Sequence, residues 1–253
     1  MLIEEAKWFG RAISEIDVGL LSPMLNVGSS TGEFREAREP WIEEYVFQPF
    51  LRRGGAVTHL DLKEAPGVDF VGDLADDRTL RRLAEYGFKS AFCSNVLEHV
   101  TDRDTLCRAI VSLIPDSGYV FVSCPRSYPY HPDPIDTMFR PDVEDLAAGF
   151  PGTETVRGEI VECGTYSRYA FRTLPWALRT VARLSVPFYR RVGWKTEVNH
   201  MAWLFREFEA SCLILTKLGD RAMKPGGASA LAAAPGDSNT ARRKPAHAGV
   251  TGP

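Results

Sequence analysis

Short apolar runs of strand length alternate with helix-periodic stretches between residues 24 and 124, and this feature most narrows what the chain can fold into. The runs at 24–28, 56–61, 68–71, 90–94 and 119–124 predict strands. Between them, 40–51 carries Trp41 and Tyr45 one helical turn apart, and 77–86 reads as helix. The stretch 102–113 puts Leu106, Ile110 and Leu113 on one helical face. Strands that alternate with helices pair in parallel and carry helices on both faces of the sheet. Near-continuous apolar runs fit such a sheet, because neither of its faces meets water. After Pro125 the rhythm changes. A Pro-rich loop runs to 141, a short helix to 150, a strand over 156–162, mostly helix over 171–192 and a last strand over 210–216.

Composition places the chain among ordinary globular proteins. Its 253 residues are 44% hydrophobic and 25% charged, enough for a sizeable core without disulfide or metal staples. A net charge of −3 gives no reason to expect a polyanionic partner such as nucleic acid. The five cysteines are odd in number and none are at C-x-x-C spacing, which predicts buried, reduced thiols. Clustered Cys and His ligands of the zinc type are absent from the sequence, so no resident metal is expected. No run approaches the ~20 apolar residues of a bilayer span, and the acidic start lacks a signal pattern; a cytoplasmic location follows as an expectation. The domain is expected to span 1–218. Residues 219–253 are rich in Ala, Gly, Pro, Ser and Thr, and predict a disordered tail.

Chemistry concentrates just past the strands. The first ends in GSSTG at 28–32, where glycine lets backbone approach a ligand and a following helix turns its free N–H groups toward an anionic group. The second ends in Asp61, a carboxylate at the lip of the sheet suited to accept from both hydroxyls of a ribose. The third leads into Asp73 and Leu74, an acceptor for an adenine amino group and an apolar platform for its ring. The fourth leads into SNVLEHV at 94–100. One such polar residue is unremarkable; a set in register after successive strands points to an adenosine-like ligand.

These residues resemble the class I S-adenosyl-L-methionine (SAM)-dependent methyltransferases, in particular the small-molecule group called methyltransferase type 11. MLNVGSSTG at 24–32 resembles the methionine-binding loop, Asp61 the ribose-binding acid, Asp73 the adenine-side acid, and LEHV at 97–100 the segment after strand four. IPDSG at 114–118 resembles the turn before strand five. The resemblance implies a Rossmann-like α/β fold: a seven-stranded, mostly parallel sheet with its last strand antiparallel and a helical lid inserted before it. It implies SAM as cofactor, bound by Asn26, Gly28, Ser29, Ser30, Gly32, Asp61, Leu62, Asp73, Leu74, Asn95 and Leu97. Two positions depart from the family. Asn26 stands where an acid is usual and lacks the charge that pairs with the cofactor ammonium; Ser30 places a Cβ where glycine is usual. A nicotinamide-dependent dehydrogenase fits less well, since the loop is not G-x-G-x-x-G and no Tyr has a Lys four residues on.

The loop at 127–137 follows strand five and holds Tyr128, Tyr130, His131, Asp133 and Asp136. His131 and Asp136 are candidates for general base and orienter, with His99 as another base. Alternatively, His131, Asp133 and Asp136 hold a divalent cation, or Asp136 and Arg140 pair in a rigid loop without chemistry. The two tyrosines are candidates for stacking on a sugar. Between 164 and 200, seven basic side chains face Glu197 alone, with aromatic and aliphatic residues interleaved. That pattern fits a lid over an anionic acceptor, a peripheral contact with an anionic membrane surface, or a solvated helix packed on the sheet. Three functions remain open: methylation of a hydroxyl on a small polar or glycan-like acceptor; N- or C-methylation of a metabolite or quinone-like acceptor; and a non-catalytic interaction module on the same fold.

Overall fold

In a computed structural model the described residues are 1–131, 135–165, 167, 203 and 205–219. Asp133, all but three residues of the proposed lid at 164–200 and the tail from 220 onward lie outside them. Seven strands form one sheet: β1 Met24–Val27, β2 Val57–Asp61, β3 Phe70–Val71, β4 Ser90–Ser94, β5 Tyr119–Ser127, β6 Thr153–Thr165 and β7 Glu207–Lys217, in the order β3-β2-β1-β4-β5-β7-β6. Only β7 runs against the others, paired antiparallel with β5 and β6. The seven-stranded, mostly parallel sheet with an antiparallel last strand is therefore the architecture adopted. The expected 68–71 strand contracts to two residues, and the fifth and sixth strands extend beyond their apolar runs.

Side-chain alternation divides the strands between two cores. Leu25, Ala91, Cys93, Val120, Val122, Leu213 and Leu215 pack on one face, beneath α4 (Asp77–Ala84), α5 (Arg103–Ser112) and α6 (Val143–Ala148). Met24, Phe92, Phe121, Cys212 and Ile214 point to the other face. This explains why the runs are apolar throughout. All five cysteines are free and buried, four of them in these strands.

The second face is closed by α1 (Ile3–Glu15), which the strand-and-helix reading did not single out. Ala6, Phe9, Ala12 and Ile13 recur at helical spacing and are buried. Phe9 meets Phe92 edge to face at 5.0 Å, anchoring the helix over β4; burial of one such ring contributes roughly 1.5–3 kcal/mol. The short helix α2 (Val18–Leu21) precedes β1; the 40–51 segment is helical, as its pattern implies, but includes a π-helical turn, Glu43–Phe47, before α3 (Gln48–Arg52). A second π-helical turn spans Phe34–Arg38. Side-chain caps start two of the helices over the first core, α4 and α5. Asp76 accepts from the backbone of Arg78 and Thr79, and Asp102 from that of Thr105.

Candidate active site

The carboxyl ends of β1, β2 and β4 open into a cleft of about 590 Å³. In open α/β sheets this edge is where ligands bind.

One wall follows from the turn after β1. Gly28 has φ +65°, and a Cβ there would lie 2.5 Å from Val96, so glycine is demanded by conformation and space together. Ser30 also takes a left-handed φ of +55°, the conformation for which the usual glycine is suited. Its backbone N–H donates to Asp61 Oδ2 at 2.8 Å, and the N–H of Lys63 donates to Asp61 Oδ1 at 3.0 Å. Asp61 is thus aimed by backbone groups on both sides, with lone pairs left over. Asp73 is exposed, accepts from the N–H of Ala75 at 2.9 Å and lines the same cleft.

Asn26, Gly28, Ser29, Ser30, Asp61, Leu62, Asp73, Leu74 and Asn95 all line the cleft. Gly32 and Leu97 do not. Gly32 packs its backbone on Gly67, where an added Cβ on Gly67 would come within 2.6 Å of the Gly32 Cα; its smallness serves loop packing. Leu97 is buried in the first core.

Asn26 has a partner of its own. Its amide donates to His59 Nδ1 at 3.0 Å, which requires that nitrogen to be unprotonated. Burial, aided by the Arg35 charge, lowers the His59 pKa to about 4, so the ring is neutral and can accept. Arg35 is the wall's unforeseen support. Buried among polar backbone, it donates to the carbonyls of Ser29 and Ser30 at 3.0 Å and of Gly67 at 2.7 Å, and pairs with Glu43 at 3.2 Å. No local sequence signal marks it.

The opposite wall is built from distant segments. Glu5, fully buried on α1, accepts from Ser94 Oγ at 2.9 Å, Ser123 Oγ at 2.5 Å, Asn95 Nδ2 at 3.2 Å and the backbone N–H of Leu2 at 2.8 Å. A carboxylate on the apolar face of an amphipathic helix was the available signal for it. Glu98 is also fully buried, and burial pushes its carboxyl up to about 7. Its Oε2 receives the Cys124 thiol at 3.7 Å, whereas Oε1 has no hydrogen-bond partner among the described residues. Asn95 Oδ1 is buried and likewise without a partner among them, and both residues line the cleft.

His99 and His131 stand beside Glu98. Their Nε2 atoms lie 3.7 and 4.0 Å from Glu98 Oε1. The Nδ1 of His99 contacts the Ile135 carbonyl, and that of His131 the Pro129 carbonyl at 3.2 Å. A carbonyl only accepts, so each Nδ1 carries a proton, and in the neutral ring the lone pair then sits on Nε2. Burial lowers the His131 pKa, reinforcing its neutral form.

Asp136, the candidate orienter, is not among the residues that line the cleft. Its carboxylate is fully covered and pairs with Arg140 through two bonds, 2.7 and 3.1 Å. Burial opposes its charge. Arg140 and the backbone N–H groups of His131 and Met138 outweigh burial and hold its pKa at about 2. With Oδ2 3.2 Å from His131 Nδ1, it positions that ring. Tyr128 lines the cleft against His131, their rings 5.0 Å apart, whereas Tyr130 is exposed outside it.

No family model and no curated protein sequence matches the chain. Solved structures do. A protein from Galdieria sulphuraria, named as a candidate sarcosine dimethylglycine methyltransferase, is 10% identical, with a TM-score of 0.55 over 84% of each chain. The MccD protein is 12% identical, with a TM-score of 0.51 over 84% of this chain and 96% of its own. At these identities the likeness establishes the fold: the chain has the class I methyltransferase fold.

Proposed function

We propose that the chain binds S-adenosyl-L-methionine in the cleft and transfers its methyl group to a hydroxyl of a small polar or glycan-like acceptor. The observation that carries this reading is the opening of the glycine turn, Asp61 and Asp73 into the same cavity as Glu98, His99 and His131. The first set suits an adenosyl group: Asp61 has free lone pairs for ribose hydroxyls, and Asp73 stands at the next strand end. Bound there, SAM would supply an electrophilic methyl carbon and, as S-adenosylhomocysteine, the leaving group of the transfer. The residues of the chain align the acceptor, exclude water and deal with the hydroxyl proton. Tyr128 would offer an aromatic wall for the acceptor, and the Glu98, His99 and His131 cluster would deal with its hydroxyl proton.

Isothermal titration of the full chain with SAM tests the cofactor half. Micromolar binding is expected, weakened by roughly 100-fold in Asp61→Ala, since two hydrogen bonds to a charged acceptor are lost. Absence of binding at millimolar SAM overturns the reading. One observation favours a non-catalytic module: Asn26 commits its amide to His59 and brings no charge to a cofactor ammonium. That reading predicts the same absence of binding.

A further inference from the structure

We propose that Glu98, His99 and His131 form a binding site for a first-row divalent cation, of the zinc or cobalt kind, in the wall of the cleft. The three candidate ligand atoms, Glu98 Oε1 and the two Nε2 nitrogens, lie within 4.8 Å of one another. Bonds of about 2.0–2.2 Å to one cation place ligand atoms roughly 3–4.3 Å apart, depending on the angle between them. The carboxylate-to-imidazole separations of 3.7 and 4.0 Å fall in that range. The same separations are too long for hydrogen bonds, so neither ring satisfies the carboxylate oxygen.

The second observation is the state of those atoms. Glu98 Oε1 is fully buried, has no hydrogen-bond partner among the described residues and faces both rings. A buried oxygen left unpaired costs free energy unless something occupies the space before it. Both imidazoles are held in the tautomer that a metal requires. Their Nδ1–H groups are turned onto the Ile135 and Pro129 carbonyls, and His131 is further steadied by Asp136. Outer partners of this sort orient metal-binding histidines. Two nitrogens and one carboxylate favour a first-row transition ion over magnesium or calcium, which prefer all-oxygen sites.

All three residues line the cleft, so coordination positions not taken by protein face the space assigned to the acceptor. With all three groups on the cation, the cluster would act through the metal and not as a free base: a hydroxyl bound there would release its proton to solvent more readily, as water does on zinc. That catalytic consequence rests on the function proposed above; the binding of metal does not.

The test uses the untagged full chain, stripped with chelator and titrated with cobalt(II), followed by calorimetry and visible absorption. One cobalt per chain is expected, at micromolar affinity or tighter, with the d–d bands of a nitrogen-containing site. Zinc should displace it, and millimolar magnesium should not. Glu98→Gln and His131→Ala should each weaken binding by ~100-fold, and Asp136→Asn by about tenfold through the looser ring. Circular dichroism confirms that each variant is folded, and His99→Gln stands in should one of them fail to fold. Asp61→Ala should leave cobalt binding unchanged. The proposal is overturned if the wild-type chain binds no stoichiometric cobalt, or if folded ligand variants bind it equally well. Cobalt binding without SAM binding would sustain the metal site and remove the methyl-transfer reading; SAM binding without cobalt binding would do the reverse.

Discussion

The cleft has two walls made in different ways. On the β1–β3 side, polar groups find partners nearby or on the adjoining strand: Asp73 with Ala75, Asp61 with Lys63 and with the turn after β1. On the other side, Glu5 reaches Ser123 across 118 residues of chain, and His131 meets a glutamate on the segment after β4. The first wall is backbone geometry that aims carboxylates. The second is a set of buried, titratable side chains that only the folded molecule brings together. A wall of the first kind tolerates loss of one side chain at the expense of ligand affinity. A wall of the second kind couples ligand binding to the stability of the whole domain.

The largest effect should come from the long-range wall. Glu5→Ala leaves two hydroxyls, an amide and a backbone N–H without their shared acceptor, although the hydroxyls of Ser94 and Ser123, 2.9 Å apart, still bond each other. Urea unfolding should lose about 3 kcal/mol or more, with Glu5→Gln losing less than half as much. A loss under ~0.5 kcal/mol would erase the distinction between the walls.

His59, under the first wall, gives a smaller and pH-dependent effect. Its pKa is about 4 in the folded chain against 6.5 ordinarily, so the unfolded chain takes up a proton first as pH falls. Its contribution is complete above pH ~6.5 and is lost between there and pH ~4. From pH 7 to 5 the wild-type chain should lose about 2 kcal/mol more stability than His59→Gln, which keeps an acceptor for Asn26 but does not titrate. Parallel pH profiles for the two proteins would show that His59 is not held neutral.

The smallest effect belongs to a purely local device. Asp76→Ala removes the cap of α4 and should cost ~1 kcal/mol, with SAM affinity unchanged. A shift in that affinity would mean that the two regions are not separable.

How much was legible in the sequence follows the same division. The strands announced themselves because a sheet covered on both faces needs continuous apolar runs, and Asp61 and Asp73 because they directly follow such runs. Helix α1 carries a weaker signal of the same kind, Ala6, Phe9 and Ile13 at helical spacing, outside the strand-and-helix alternation. Arg35 was illegible, since its carbonyl partners at 29, 30 and 67 come together only when two loops meet. Gly32 and Leu97 belong to recognised motifs, yet they serve loop and core packing.

The amino-acid order alone determined the alternation of strands and helices, the turn after β1 and the acids at the strand ends. Each depends on residues a few positions apart, where periodicity, φ preference and hydrogen-bonding capacity act directly. Tertiary structure alone decided that Glu5 gathers the hydroxyls of Ser94 and Ser123, and that Glu98 faces two imidazoles from different segments. Such meetings arise when burial of two separate cores closes the chain on itself, and no local pattern records which distant groups that closure will bring into contact.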